Sequence, residues 1–211
     1  MDVISTIERL TVIPVITIND ADKAVKLADS LIEGGLPCAE ITFRTDAAEE
    51  SIKRINKHMP DMVLAAGTVL TLDQLKRAVD AGASAIVSPC FNQEIIRYCI
   101  DNHIAVFPGI ATPTELDMAY QMGLRHVKVF PAGALGGLKY IKAIAAPYSM
   151  MRFMPTGGVS ALNLAEYLEY EKIFAIGGSW IAKKELIAED NWKEITENAA
   201  EAVRIAKEAR S

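Results

Sequence analysis

Dense runs of lysine or arginine are missing from this chain, which carries 22 Lys and Arg against 27 Asp and Glu for a formal net charge of −5. Nucleic acids and anionic membranes need a concentrated positive field, so neither is expected as a partner. Metal-ligand spacing is missing too. His58, His103 and His126 form no HxH or HxxxH pair, and no cysteine cluster accompanies them, so no metal is expected. Cys38, Cys90 and Cys99 are odd in number and lack CxxC spacing, in a chain long enough to fold without disulfide staples. That usage points to a reducing, cytoplasmic setting. The opening MDVISTIERLTVIPV places Glu8 and Arg9 inside its apolar stretch and offers no small-residue cleavage site, so neither a signal peptide nor a membrane span is expected. No linker, low-complexity segment, charge block or sequence repeat divides the chain, and a single domain over residues 1–211 is expected.

Hydrophobic residues make up 51% and charged residues 23%, enough apolar material for a large core. Short β-branched or apolar runs alternate with longer stretches of helical periodicity. Eight strands are predicted at Val12–Ile18, Ala39–Phe43, Met62–Ala66, Ala85–Val87, Ala105–Phe107, His126–Phe130, Arg152–Pro155 and Ile173–Ile176. Asp20, Thr71 and Ser160 precede apolar-periodic segments as N-caps for helices over Ala21–Glu33, Leu72–Ala81 and Ala161–Glu169. Gly34, Gly82 and Gly123 fall where left-handed C-caps belong. Strand–helix alternation with near-continuous apolar strands predicts an α/β fold whose parallel sheet closes into a (β/α)8 TIM barrel, with an open doubly wound sheet as the alternative. Residues 1–11 read as a short N-terminal helix closing the barrel bottom, and Asn191–Arg210 as a long amphipathic final helix.

In such a barrel, chemistry sits at the C-terminal ends of the strands, which draws attention to the polar residues there. Thr17, Thr42, Ser88 and the residues considered next are candidates. Lys128 lies between Val127 and Val129, so period-2 alternation turns the valines to the helices and the lysine inward. Desolvation and a nearby cation favour a neutral amine, which can attack a ketone. A lysine that reaches the barrel mouth or pairs with a carboxylate fits the same position. Glu40, Thr42 and Arg44 share a strand face by the same alternation. A confined carboxylate beside a lysine can shuttle protons, and an arginine can grip a 2-keto acid carboxylate with two hydrogen bonds. A buried ion pair without chemistry is the alternative for Glu40. Gly67 and Thr68 bring a flexible backbone and a hydroxyl to the third strand's end, suited to a second carboxylate contact or simply to starting a helix. Pro155–Val159 (PTGGV) and Gly177–Trp180 (GGSW) follow the last two strands, where barrels often bind phosphate on glycine amides; two tight turns without a ligand would read alike. His126 reads as a core residue and Cys90 as packing or loop structure.

The motifs EITFRT, AAGTVL, SPC, FPGIATPTE, KVFPA, PTGGV and IGGSW occur in this order over nearly the whole chain. Together they resemble the 2-keto-3-deoxy-6-phosphogluconate (KDPG) / 4-hydroxy-2-oxoglutarate (KHG) aldolase family. The resemblance implies a class I aldolase without cofactor, acting on a small, phosphorylated 2-keto acid, commonly as a homotrimer. By matched motif it implies Lys128 as the Schiff-base lysine and Glu40 as the acid/base. Arg44 and Thr68 would hold the pyruvoyl carboxylate, and Thr156 would contact substrate hydroxyls. Pro89 and Phe130 would shape the pocket, while Gly157, Gly158, Gly178 and Ser179 would receive the phosphate. The chain departs from the family pattern in having Cys90 where many relatives have glycine, Val129 in place of phenylalanine, and Thr17 where some carry arginine. If Cys90 kept the left-handed backbone glycine allows, it would carry roughly 1–2 kcal/mol of strain.

Overall fold

In the computed structural model, which describes residues 2–210, strands and helices alternate along the chain. The order begins α1 (Val3–Leu10), β1 (Val12–Ile16), a 3-10 turn (Ala21–Lys23), α2 (Ala24–Glu33), β2 (Cys38–Thr42), α3 (Ala47–His58), β3 (Val63–Gly67), α4 (Leu72–Asp80), β4 (Ala85–Val87) and α5 (Gln93–Asp101). It continues β5 (Ala105–Phe107), β6 (Gly109–Ile110), α6 (Pro113–Gln121), β7 (His126–Val129), α7 (Gly137–Ala145), β8 (Arg152–Pro155), α8 (Leu164–Leu168), β9 (Ile176–Gly178), α9 (Lys184–Ala188) and α10 (Trp192–Arg210).

The strands pair in parallel as a six-stranded sheet, β5-β4-β3-β2-β1-β9, which forms a half-barrel, and a three-stranded sheet, β6-β7-β8. The expected fifth strand is β5, Ala105–Phe107; Pro108, which has no N–H to give a ladder, ends it and separates it from a further short strand, β6, that was not expected. On the other side, isolated parallel bridges Phe153–Ile173 and Thr156–Gly177 connect the second sheet to the segment carrying β9. The last strand expected at Ile173–Ile176 is therefore shifted, with Ile173 reduced to a bridge and the ladder running through Gly178.

Register separates two rows of side chains on the large sheet. Ile16, Ile41, Ala66 and Ile86 are neighbours in one buried row, and Val15, Glu40, Ala65 and Ala85 in the next, on the opposite face. Between the sheets, low in the core, Phe107 and Phe174 stack at 5.5 Å between ring centroids, and His126 sets its ring edge-on to Phe174 at 4.8 Å. His126 also bonds Glu8 of α1 at 2.9 Å, so the N-terminal helix is tied to this lowest layer by a polar contact as well as by buried Ile7.

Several local expectations are corrected by packing. Gly34 is not left-handed, and Gly35 takes that role with φ +86°. The reason is contact with α10: a Cβ on Gly34 would stand 2.5 Å from the Cβ of Ala199, so glycine is required for close approach. Gly82 and Gly123 do adopt positive φ. Ser160 caps nothing. Its amide donates instead to Asn163 Oδ1, and the regular helix begins only at Leu164. Asp20 accepts from Asp22 N at the 3-10 turn, and Thr71 from Gln74 N at α4, both as expected. Among the described residues no helix is long and apolar enough to cross a membrane.

Candidate active site

Alternation on β7 buries Val127 and Val129 completely and sends Lys128 away from them, 4% exposed, into the space between the sheets. There its Nζ donates to Glu40 Oε1 at 3.1 Å. Glu40 comes from the middle of β2, where all five residues are buried. Its other oxygen, Oε2, is buried with no hydrogen-bond partner among the described residues. An acceptor left open in a site this buried is costly, and its lone pairs are available to a substrate proton or a water. The Lys128 ammonium also lies 5.5 Å from the centroid of the Phe130 ring, which forms one wall.

What admits the Glu40 carboxylate is the missing side chain of Gly67. A Cβ there would stand 2.2 Å from Glu40 Oε1. One residue beyond, Thr68 has a left-handed backbone, φ 56°, and its hydroxyl accepts from Arg44 Nε at 3.1 Å. Arg44 is not on the inward strand face that alternation assigned it. β2 ends at Thr42, the chain turns, and the guanidinium is exposed at the strand ends, within reach of Thr68. Thr42 does turn inward, but it donates to Ile16 O at 2.8 Å and lies 3.0 Å from the Thr17 hydroxyl, linking β2 to the end of β1.

Across the site, Thr156 follows β8 and is buried, its hydroxyl without a partner among the described residues. Gly177 makes room for it, since a Cβ at Gly177 would meet Thr156 Oγ1 at 2.2 Å. Gly157 and Gly158 both take positive φ, 84° and 82°. Gly133 N donates to Gly157 O at 2.8 Å, and a Cβ on Gly158 would collide with Gly133 Cα at 2.8 Å, so the turns after β7 and β8 are pressed together. Gly178 is buried under the Trp180 ring, while Ser179 is exposed and lines a cavity of about 200 Å³ with Val15, Thr17, Lys183 and Lys184.

Pro89 is half-buried. Its carbonyl packs on Gly109, where a Cβ would come within 2.4 Å, at the break between β5 and β6. Ser88 donates to Cys90 O at 2.7 Å, and Cys90 is absent from the non-glycine residues with positive φ. The strain that a left-handed Cys90 would carry does not arise, because the loop takes a conformation open to any L residue. Burial pushes the Cys38 thiol far up and the Cys99 thiol up to about 12. Both are structural.

Sequence reasoning does not find four contributors. Gly67 was considered only for backbone freedom, Gly177 only as part of a turn, and Lys183 and Lys184 were not singled out. Strand register could have found the first two, since Gly67 pairs with Thr42 on the same face as Glu40 and Gly177 bridges to Thr156. Among the described residues no group of three or more His, Cys, Asp or Glu side chains is placed to hold a metal ion.

The chain as a whole has counterparts among known proteins. The family model described as KDPG and KHG aldolase matches residues 3–198. The chain belongs to this aldolase family. It is 42% identical to the 2-dehydro-3-deoxy-phosphogluconate aldolase of Haemophilus influenzae, over 97% of each chain. It is 39% identical to the KHG/KDPG aldolase of Escherichia coli, over 93% of this chain and 92% of that one. Among solved structures, the KDPG aldolase of Legionella pneumophila, with pyruvate captured as a covalent carbinolamine intermediate, superimposes with TM-score 0.91 at 36% identity, covering 95% of this chain and 97% of the other.

Proposed function

We propose that this aldolase-family protein cleaves 2-keto-3-deoxy-6-phosphogluconate to pyruvate and glyceraldehyde 3-phosphate through an imine on Lys128, and that it also cleaves 4-hydroxy-2-oxoglutarate to pyruvate and glyoxylate. The observation that carries this reading is the Lys128–Glu40 contact at 3.1 Å, buried between two sheets. Passing one proton from ammonium to carboxylate leaves an amine and a carboxyl group. The pair stays net neutral throughout, so burial does not oppose the exchange as it would a lone charge.

The steps follow from that exchange. The Lys128 amine adds to the C2 ketone, forming a carbinolamine; Glu40 protonates the departing hydroxyl, water leaves, and an iminium remains. The iminium draws electrons as the C4 hydroxyl gives up its proton to Glu40 and the C3–C4 bond breaks, releasing the aldehyde and an enamine. Glu40 returns the proton to C3, and water hydrolyses the pyruvyl imine to pyruvate and the free lysine. The unpartnered Glu40 Oε2 is the atom free to carry these protons. Arg44 and Thr68 are assigned to the substrate carboxylate, and Thr156, with its open hydroxyl, to the sugar hydroxyls. Pro89 and Phe130 wall the pocket, and Gly157, Gly158, Gly178 and Ser179 take the phosphate on backbone amides and one hydroxyl.

The same reading treats the two sheets as one closed (β/α)8 barrel forming a single domain over 1–211. Continuity of β5 with β6 across Pro108, and the two bridges toward β9, support it. A cytoplasmic homotrimer completes the proposal, by likeness to the family.

The deciding experiment is incubation with pyruvate and sodium borohydride, followed by peptide mass spectrometry. A reduced pyruvyl adduct on the Lys128 peptide is expected. A folded protein that cleaves substrate yet carries no adduct there would overturn the imine mechanism.

A further inference from the structure

The Ser179 cavity holds more positive charge than the glycine turns alone would bring. Val15 enters it from β1 beside Glu40, and Thr17 from just past the end of β1 beside Thr42, so the cavity opens from the same face as the catalytic pair. Its outer rim carries Lys183 and Lys184 from the segment after β9, with Glu185 as the one carboxylate among its lining residues. Glu185 stands 3.8 Å from Lys184, at the outer limit of an ion pair and with both side chains largely exposed. Lys183 has no ion-pair partner among the described residues. A second cavity, of about 220 Å³, shares Thr17 and Lys184 with the first, so Lys184 stands between the two openings. Lys23, the other lysine in that second cavity, is already engaged by the carbonyls of Ile187 and Ala188 and by Asp190. It is a strut for α9, which leaves at the rim Lys183, unpaired among the described residues, and Lys184, held only by its long contact with Glu185.

We infer that Lys183 and Lys184 are specificity-determining residues which favour substrates ending in a phosphate dianion over those ending in a single carboxylate. The inference rests on the function proposed above and adds residues beyond the glycine turns and Ser179. Two flexible ammonium groups at the cavity rim attract a dianion about twice as strongly as a monoanion at equal distance. A shorter hydroxyoxoglutarate tail also ends farther from the rim. Because the lysines touch only the distal end, they act on binding of the phosphorylated substrate and leave the imine chemistry at Lys128 alone.

The test compares wild type, K183Q/K184Q and K183R/K184R on both substrates, at low and high ionic strength, with borohydride trapping of pyruvate in each. For the glutamine pair, KM for the phosphorylated acid is expected to rise roughly 5- to 20-fold, the upper range for two exposed charges, with kcat and trapping unchanged. The effect should shrink at high salt and be reversed by the arginine pair, and KM for hydroxyoxoglutarate should move less than threefold or so. Equal changes on the two substrates, an unchanged KM, or a change insensitive to salt would each overturn the inference while leaving the aldolase reading in place. Wild-type protein that traps pyruvate but cleaves no phosphorylated acid would overturn the substrate reading and this inference together.

Discussion

Lys128 and Glu40 stand 88 residues apart in the chain, on strands of different sheets, and meet at 3.1 Å with both side chains almost fully buried. Such a pair contributes little net stability, because desolvation offsets most of the attraction, but breaking it leaves a stranded charge that costs about 3–5 kcal/mol. Glu40→Gln keeps the shape and a hydrogen-bond acceptor while removing the proton carrier. Turnover is expected to fall by about 10²–10⁴, with pyruvate binding weakened only a few-fold. Steady-state kinetics alongside pyruvate titration would measure the two separately, and a loss concentrated in binding would refute the acid/base role.

Gly67→Ala probes the same carboxylate without touching it. The added methyl would fall 2.2 Å from Glu40 Oε1, 2.6 Å from Cγ and 2.8 Å from Cδ, so its three nearest neighbours all belong to one side chain. Gly67 itself needs no positive φ, and alanine suits its backbone. We expect a modest stability loss of about 1–3 kcal/mol, from overpacking, with a larger fall in kcat and slower borohydride trapping. A thermal melt and a trapping time course distinguish this from general unfolding. If the variant melts earlier yet traps pyruvate at the wild-type rate, Gly67 does not set the carboxylate position.

The inward turn of Lys128 was legible because strict alternation between two valines leaves it one direction, and that of Glu40 for a similar reason, while alternation left open whether the two react or only pair. Alternation failed at Arg44 because it holds only while the strand lasts, and β2 stops at Thr42. Strand ends were legible only in part. The end of β5 at Phe107 follows from the N–H that Pro108 lacks, which the sequence displays, whereas the extra strand β6 and the shift of β9 depend on which residues find ladder partners across the sheet. Gly34 and Gly35 could not be told apart from the string, since the choice is made by Ala199 on a helix more than 160 residues later. Charge at the rim of the Ser179 cavity was unread for a related reason. Two lysines in a short helical segment look like any solvated surface until the cavity beside them is known.

The three thiols differ enough in environment to report on the fold through pH. Cys90 is exposed, while Cys38 and Cys99 are buried, and Cys38 donates to Val12 O at 3.4 Å. At mildly alkaline pH the native protein should therefore give one fast equivalent with a thiol reagent such as Ellman's, and three after denaturation. Burial raises the folded pKa of Cys99 to about 12, against roughly 8.5 in an unfolded chain. The folded state thus holds a proton that the unfolded state gives up, so this contribution is whole below about pH 8.5 and is lost as pH rises toward 12. Stability should fall by up to about 1.4 kcal/mol per pH unit from this thiol in that window. Cys99→Ala lowers stability at every pH by the lost packing, but it removes the thiol's part of the slope. Denaturant melts of both proteins from pH 8 to 10.5 would measure the difference, and parallel stability curves would show that Cys99 does not keep its proton on folding.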